Sequence, residues 1–400
     1  MKLVKQSVLT VNAGSSSIKF ALYESGVALT QRLSGQVDRI GLSGTTLTFN
    51  DGKCAPQTLP IPPAADPKSA ANFLIGWLEK QVDFGRVQAV GHRVVHGMQH
   101  TEPEKVTAEL LNELRAIIPY APDHLPSEIE LIEAFQEQHS NLPQVACFDT
   151  AFHRSMPRVA KLLPIPRRYT AKGVERYGFH GLSYSYLMEE LRRIDAAAAK
   201  KRIILAHLGN GASLAAVRNG KSVDTSMGFT PASGLVMSTR SGDLDPGIVS
   251  FLARSERMTP QQYDDMVNRD SGLLGVSETS SDMRDLCAAE ATDVRAAEAV
   301  ELFCYQAKKW IGSFAAAMGG VDTLVFAGGI GENAPSVRAR ICAGMEFLGI
   351  ELKEKRNAAN RGVISESSGA VTVRVIRTDE ERMIAQMTCR VLGLAGKRAK

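Results

Sequence analysis

The chain has 400 residues, 44% of them hydrophobic, and a formal net charge of only +4 at pH 7. This length exceeds what one hydrophobic core usually carries, so we expect two domains with a cleft between them that could hold a ligand. The near balance of charge, with no run of five or more like charges, argues against nucleic acid or a membrane surface as the main partner.

Targeting and redox signals are weak in this sequence. The N-terminal apolar run, residues 8–11, is too short for a signal peptide, and no apolar stretch approaches the length of a membrane span. The six cysteines are scattered and show neither Cys-x-x-Cys nor zinc-site spacing, which is typical of reduced thiols. We therefore expect a cytoplasmic protein.

Strands and helices alternate along the chain, which predicts an α/β fold. Residues 8–11 and 18–23 are predicted strands on either side of a polar Gly/Ser turn, and residues 51–68, rich in Pro and Ala, a surface loop. The next predicted elements are a helix at Leu125–Gln138, a strand at Gln144–Phe148, a helix at 188–200 and a strand at Arg202–Leu208.

The C-terminal third continues this pattern. A helix is predicted from one apolar stripe, followed by the stop signal Gly319-Gly320; the stripe consists of Val300, Phe303, Cys304, Ala307, Ile311 and Phe314. A strand at 323–327 runs into the sequence GGIGEN, and a last strand at 371–377 precedes a helix that Asp379 could cap.

A weak internal repeat is visible. The segments VLTVNAGSSSIKFALYESG and IILAHLGNGASLAAVRNG share an apolar strand, a glycine turn and a second apolar strand, with Gly14 and Gly209 in register. This pattern suggests a duplicated domain with two phosphate-binding hairpins facing one cleft.

Three glycine-rich segments follow apolar strands. Residues 12–19 combine a glycine, three serines and Lys19, without the spacing of a Walker A motif. The other two are His207–Gly211 and the segment AGGIGEN, where backbone NH groups could approach a phosphate. An ordinary hairpin turn with a solvated lysine is an equally good interpretation of residues 12–19 alone.

Charged side chains lie near predicted strand ends and in polar loops. They are Arg93 in GHRVVHG, Asp149 in FDTAFH, His180 in YGFHG and Arg240 in TRSGDLDPG. Each also has a structural interpretation: surface ion pairs for the arginines, a capping role for Asp149 and an ordinary hydrogen-bonded histidine for His180.

The motifs NAGSSSIK, GHRVVHG, FDTAFH, YGFHG, HLGNGAS, DTSMGFTP, TRSGDLDPG, GGIGEN and TDEE, in this order from residue 8 to about 385, resemble the acetate kinase family. The resemblance implies duplicated actin-like (ribonuclease H-like) domains, as in sugar kinases, Hsp70 and actin, and a homodimer that uses ATP/ADP with Mg²⁺ or alternatively Mn²⁺. We expect one domain at 1–149, completed by the helix 381–394, and a nucleotide-binding domain at 150–380.

The resemblance also assigns residues. It implies metal positions at Asn12 and Glu380. It implies catalytic roles for Asp149, His180 and Arg240, and a substrate-binding set of Arg93, Val95, Phe179 and Pro231. The implied nucleotide site consists of Lys19, His207, Leu208, Gly209, Asn210, Gly211, Asp282, Met283, Arg284, Gly329, Ile330, Gly331, Glu332 and Asn333.

The chemistry of this set fits phosphoryl transfer to a carboxylate. His180 and Arg240 would stabilise charge on the phosphoryl group in transit. The acceptor is already ionised at neutral pH. Asp149 therefore need not act as a general base, and we expect it to orient Arg93 or the metal shell.

Two departures from the family pattern stand out. Leu182-Ser183-Tyr184 replaces the usual Thr-Ser-His after His180-Gly181, and Asp123 replaces an apolar residue that lines the acyl pocket. A buried, ionised aspartate beside a substrate carboxylate would be unfavourable. Either Asp123 turns away, toward His124 for example, or the acyl preference is altered.

The resemblance implies reversible phosphoryl transfer from ATP to acetate, giving acetyl phosphate and ADP. A propionate or other short-chain acyl kinase is the nearest alternative, because one methylene changes binding by only about 1–3 kcal/mol. A hydroxyl-directed kinase would need Asp149 as a base. A non-catalytic nucleotide switch resembling actin or Hsp70 would not need Arg93, His180 and Arg240 together.

Overall fold

The computed structural model describes residues 6–14, 17–26, 28–62, 64 and 66–394. Ser15 and Ser16 of the predicted N-terminal phosphate turn lie outside these residues. The strands are β1 (Ser7–Ala13), β2 (Ser17–Glu24), β3 (Thr30–Asp38), β4 (Thr46–Asn50), β5 (Gln57–Pro60), β6 (Val87–Val94), β7 (Glu104–Lys105), β8 (Gln144–Phe148), β9 (Arg202–Leu208), β10 (Ala212–Arg218), β11 (Lys221–Thr225), β12 (Thr323–Ala327) and β13 (Thr372–Val375).

The α-helices are α1 (Pro67–Gln81), α2 (Ala108–Ala116), α3 (Leu125–Gln138), α4 (Arg158–Lys161), α5 (Arg167–Thr170), α6 (Gly181–Ile194), α7 (Gly247–Ser255), α8 (Pro260–Arg269), α9 (Gly272–Ser277), α10 (Met283–Ala289), α11 (Val294–Met318), α12 (Gly328–Asn333), α13 (Pro335–Cys342), α14 (Glu354–Ala358) and α15 (Glu380–Leu392). Short 3₁₀ turns occur at Phe84–Arg86, Ile118–Tyr120, Ala151–Ser155, Ala198–Lys200 and Glu346–Leu348.

The chain divides into two compact units. The first consists of Met1–Ala151 together with Asp379–Lys400, and the second of Phe152–Thr378. The first unit holds an eight-stranded sheet in the order β5-β4-β3-β2-β1-β6-β8-β7, and the second a five-stranded sheet in the order β11-β10-β9-β12-β13.

The two sheets share one topology. In the first, β1, β2 and β3 form an antiparallel meander, and β6 and β8 are parallel to β1. In the second, β9, β10 and β11 form the meander, and β12 and β13 are parallel to β9. This correspondence confirms the α/β class and the duplication that the sequence repeat predicted.

Burial explains why apolar runs occupy the middle of each sheet. All seven residues of β1 and all five of β8 and of β12 are buried, as expected for strands covered on both faces. The carboxyl ends of parallel strands meet at one edge of a sheet. This edge brings the residues after β1, β6 and β8 together in the first unit, and those after β9 and β12 in the second.

Most predicted elements are confirmed. The bounds of α3, β8 and β9 agree with the sequence prediction, α11 ends at Gly319 in a left-handed conformation (φ 72°), and the Asp379 side chain caps α15 by accepting from the Arg382 N–H. No helix in the described part of the chain has the length and hydropathy needed to cross a membrane. Each of the six cysteines is a free thiol.

Three predictions differ from the structure. The predicted loop at 51–68 contains the edge strand β5. All four residues of β5 are exposed, so no alternation of apolar and polar residues marks it in the sequence, and the last two residues of the predicted loop belong to α1. The predicted helix at 188–200 is α6, which begins earlier, at Gly181, and ends at Ile194; residues 198–200 form a separate 3₁₀ turn. The glycine-rich GGIGEN segment, whose composition predicts a loop rather than a helix, is the short helix α12.

Candidate active site

Arg93 lies near the end of β6 and is held by neighbours in the first unit. Its Nη2 donates to Asp149 Oδ2 at 3.0 Å, and its Nη1 donates to the carbonyl oxygen of Ala13 at 3.3 Å. Asp149, directly after β8, is 1% exposed. Burial opposes the charge of Arg93, but Asp149, Glu128 and Glu380 outweigh burial and raise the pKa of this guanidinium. The structure thus joins Arg93 and Asp149, with the arginine cationic.

Glu128 is a further residue beside Arg93, and sequence analysis did not identify it. Its Oε2 accepts a hydrogen bond from the Val95 N–H at 2.9 Å, and its Oε1 lies 3.6 Å from Arg93 Nη1. Burial raises the pKa of Glu128 to about 7, with Arg93 and the Val95 N–H opposing this rise. The available signal was an acidic residue within the buried stripe of α3, between Leu125 and Ile129.

Asn12, at the end of β1, contacts the acidic start of α15. Its Nδ2 donates to Glu380 Oε2 at 3.1 Å and to Glu381 Oε1 at 3.4 Å. Burial and the charge of Glu380 raise the pKa of Glu381, while Lys19 lowers it. A cation bound between these two carboxylates would relieve their mutual repulsion.

The oxygen donors of this cluster suit Mg²⁺. No group of three or more His, Cys, Asp or Glu side chains with metal-binding geometry occurs among the residues described. Mg²⁺, however, is commonly held by one or two carboxylates, with phosphate oxygens and waters completing its shell. Asn12 and Glu380 fit such a site, and Glu381 is an additional neighbour that the sequence prediction left out.

His180 in the second unit is held in a defined orientation. It precedes α6 with a left-handed backbone (φ 58°), and its Nδ1 is hydrogen-bonded to Ser213 Oγ at 2.8 Å. Its ring stacks on His207, with centroids 4.3 Å apart. A Cβ atom at Gly211 would lie 3.0 Å from His180 Nε2, so this nitrogen points at the glycine turn.

Arg240 lies at the same glycine. A Cβ atom at Gly211 would lie 3.6 Å from Arg240 Nη1, which donates to the carbonyl oxygen of Pro231 at 3.2 Å. The structure therefore brings His180, Arg240 and Gly211 together, and connects Pro231 to them. Glycine at position 211 leaves space where the His180 and Arg240 side chains converge.

Phe179 is fixed by a buried histidine. Its side chain is 1% exposed, and its carbonyl oxygen is hydrogen-bonded to His153 Nε2 at 3.0 Å. His153 Nδ1 bonds to Ser222 Oγ at 2.9 Å. His153 thus has a structural role in placing the chain before His180.

The second and third glycine segments pack against each other through their backbones. A Cβ atom at Gly328 would lie 2.6 Å from the Leu208 carbonyl oxygen, and one at Gly209 would lie 3.8 Å from the Gly329 nitrogen. Around Gly329 itself a Cβ atom would meet no atom within 4 Å. The His207–Gly211 turn and the start of α12 therefore form one glycine-lined surface.

The remaining nucleotide candidates differ in their surroundings. Glu332 Oε1 accepts from the N–H groups of Gly328 (2.9 Å) and Thr378 (3.1 Å), so its carboxylate stabilises the protein itself. Asn333 is exposed and donates to the Gly329 carbonyl oxygen. Asp282 caps α10 and pairs with Arg284, and this pairing lowers the pKa of Asp282. The hydrogen bonds found for Asp282 and Arg284 join them to residues of the same segment, 280–285.

Arg338 is a buried residue that supports α12 and that sequence analysis missed. It lies in α13 at 0% exposure, and its Nη1 donates to the carbonyl oxygens of Gly331 (2.8 Å) and Glu332 (3.1 Å). Its Nε donates to Asn357 Oδ1 at 2.8 Å. Burial lowers the pKa of Arg338 to about 10, so it stays charged at neutral pH. No sequence pattern distinguishes this arginine from a solvated one.

Tyr184, which stands where the family usually has histidine, takes part in the His180 network. It is 0% exposed, and its hydroxyl is hydrogen-bonded to Ser213 Oγ, the atom that also binds His180 Nδ1. The neighbouring Ser183 bonds to His207 Nδ1 at 2.8 Å. Both histidines of the stacked pair are thus oriented by hydroxyl groups.

We expect Ser213→Ala to lower kcat about 10- to 100-fold, because partners that orient a functional group typically matter by this factor. KM for ATP should change little. Steady-state kinetics would measure both, with Ser365→Ala as a control: Ser365 is also buried, but it bonds to the Val373 N–H, far along the chain. An unchanged kcat in Ser213→Ala would contradict the orienting role.

Glycine-lined backbone, two arginines, a histidine and a candidate magnesium cluster on duplicated α/β units are the features of a phosphotransferase. A model of the Acetokinase family matches residues 7–386. The acetate kinase of Methylocella silvestris is 43% identical, over 97% of this chain and 98% of its own. The structure of Porphyromonas gingivalis acetate kinase is similar over 97% of this chain and 100% of its own, with 39% identity and a TM-score of 0.88. That of a Francisella tularensis propionate kinase is similar over 96% of this chain and 100% of its own, with 35% identity and a TM-score of 0.90. The chain therefore belongs to the acetokinase family.

Proposed function

We propose that the protein catalyses reversible phosphoryl transfer from ATP to acetate, giving acetyl phosphate and ADP. Its membership of the acetokinase family and its similarity to acetate kinases over nearly the whole chain support this activity. The observation that carries the proposal is the convergence of His180 and Arg240 on Gly211, in a chain that also holds Arg93 against Asp149.

In the proposed mechanism, Arg93 binds the carboxylate of the acceptor. Acetate is ionised at neutral pH and has no proton to give up. Asp149, which already accepts from Arg93, orients that guanidinium rather than acting as a base. Val95, Phe179 and Pro231 contact the acyl group, and this apolar set favours a short alkyl chain.

His180 and Arg240 stabilise the phosphoryl group during transfer. Negative charge spreads over the equatorial oxygens of this group, and fixed cationic or hydrogen-bonding groups lower the barrier. Ser213 and the stacked ring of His207 hold His180 with Nε2 toward Gly211. No reorganisation of the imidazole is then needed at the moment of transfer.

The remaining predicted positions would bind ATP and the metal. The backbone of His207–Gly211 and residues 329–333, together with Lys19 and residues 282–284, bind the nucleotide in this proposal. Asn12 and Glu380 would hold Mg²⁺, or Mn²⁺ in its place. When bound, the ion neutralises charge on the phosphates.

The position of Asp123 and the similarity to a propionate kinase bear on the acyl preference. Asp123 is exposed, which favours the alternative in which its side chain turns away from the acyl group. The similarity to a propionate kinase keeps propionate as the second candidate substrate.

We also propose the domain limits 1–149 with 381–394 and 150–380, and a cytoplasmic location. We further propose a homodimer, for which light scattering would give twice the 43.2 kDa chain mass.

A hydroxylamine-trapping assay with ATP tests the reaction. We expect acyl hydroxamate with acetate, less with propionate, and little with butyrate. ADP release with a sugar and no hydroxamate with any acid would instead indicate a hydroxyl-directed kinase. Nucleotide binding without turnover on any acceptor would indicate a non-catalytic switch.

A further inference from the structure

Glu128 uses only one of its two oxygens. The side chain is 2% exposed, and its Oε2 accepts from the Val95 N–H at 2.9 Å. Its Oε1 lies 3.6 Å from Arg93 Nη1, too far for a hydrogen bond, and has no hydrogen-bond partner in the described part of the chain. A buried polar atom without a partner is costly, which calls for a functional explanation.

The charges around Arg93 are unfavourable for one more anion. Arg93 donates to Asp149 at 3.0 Å, lies near Glu128, and is also stabilised by Glu380. An incoming acceptor carboxylate would add a fourth negative charge beside a single guanidinium. Like charges at such distances favour the protonated form of one carboxyl group.

We propose that Glu128 determines acceptor specificity. Protonated Glu128 donates a hydrogen bond from Oε1 to the ionised carboxylate of the acceptor, while Arg93 binds the same carboxylate. The inference rests on the proposed function, since it takes Arg93 as the residue that binds the acceptor. The acceptor carboxylate then becomes the hydrogen-bond partner that Oε1 lacks. Protonation of Glu128 also removes one of the three negative charges around Arg93. The arrangement favours carboxylates, because a hydrogen bond to an anionic oxygen is stronger than one to a neutral hydroxyl oxygen.

The proposal makes acceptor binding depend on pH. Burial, and to a smaller extent Asp149, raises the pKa of Glu128 to about 7, whereas Arg93 from β6 and the Val95 N–H lower it. Below this pH Glu128 already carries its proton. Above it, each acetate that binds takes up one proton from solvent, so KM for acetate rises, approaching tenfold per pH unit. Acetate itself stays ionised from pH 6 to 9.

The experiment measures KM for acetate and kcat at pH 6.0 and 8.5 in wild type and Glu128→Gln. The glutamine amide donates a hydrogen bond at every pH. We expect KM to rise about tenfold or more in wild type and to stay within about twofold in Glu128→Gln. Glu130→Gln, on the same helix, serves as the control and should follow wild type.

Two results would overturn the inference: a wild-type KM that is flat over this range, or a Glu128→Gln variant whose KM rises as steeply as that of wild type. If the variant does not fold, calorimetry of acetate binding to wild type at pH 8.5 in buffers of different ionisation enthalpy decides. Uptake of about one proton supports the inference, and no uptake rejects it. Hydroxamate formation by wild type at pH 6.0 tests the proposed function separately, because Glu128 is protonated there.

Discussion

Arg240→Ala should lower kcat about 10²- to 10³-fold while the fold stays intact. Arg240 converges with His180 on Gly211, where its charge would meet the phosphoryl group in transit. Removing one preorganised group that acts on developing charge typically costs this much in rate. KM for ATP and for acetate should change only a few-fold, because the interaction is expected mainly in the transition state.

Stability of this variant should be nearly that of wild type. Among its contacts, Arg240 donates to the Pro231 carbonyl oxygen and to the Met237 sulfur, and neither of these two partners is an ionised group that the substitution would leave unpaired. Arg254→Ala, at an exposed position of α7, is the matched control and should retain full turnover. Near wild-type kcat in Arg240→Ala would refute the role assigned to this arginine. Arg240→Lys should be intermediate, because lysine keeps the charge but not the planar fork.

Arg93→Ala should both destabilise the first unit and impair acceptor binding. The substitution leaves Asp149 and Glu128, which are 1% and 2% exposed, without their cation. Breaking a buried ion pair from one side costs about 3–5 kcal/mol. We also expect kcat/KM for acetate to fall about 10²-fold, since the carboxylate loses its partner.

The loss of stability should depend on pH. Burial already raises the pKa of Glu128, and without Arg93 to oppose it this pKa rises further above its unfolded value, so the folded state binds a proton more tightly and is favoured at low pH. The destabilisation should therefore be larger at pH 8 than at pH 6. Urea unfolding at both pH values, with hydrogen exchange of β6 and β8 as a local probe, measures this effect. Arg86→Ala, which breaks the exposed pair with Asp83, should change stability by less than about 1 kcal/mol.

The central strands of both sheets could be predicted from the sequence, because apolar strands followed by glycine turns give a strong local pattern. The buried strands β1, β9 and β12 and the helix α3 follow directly from such patterns. The repeat around Gly14 and Gly209 anticipated the shared topology of the two sheets. Motif resemblance then supplied the charged residues that local pattern alone left ambiguous.

The supporting contacts could not be predicted in the same way. Arg338 looks in sequence like an ordinary surface residue of a helix, and the place of Glu128 within the apolar stripe of α3 does not reveal its partners. Their burial depends on tertiary partners, Val95 and Arg93 for Glu128 and the carbonyl oxygens of α12 for Arg338. The helical form of GGIGEN is equally non-local, since glycine disfavours helices and this one is stabilised by packing and by Arg338.

The position of α15 has a consequence for biosynthesis. This helix covers β1 and β2, with Ala385 and Cys389 packed among Val8, Ala21 and Tyr23, yet it follows the entire second unit in the chain. A ribosome therefore releases the complete sequence of the second unit, Phe152–Thr378, before the first can close its core. The nascent first unit, although its strands are synthesised before the second unit, keeps one apolar face uncovered until α15 has been synthesised.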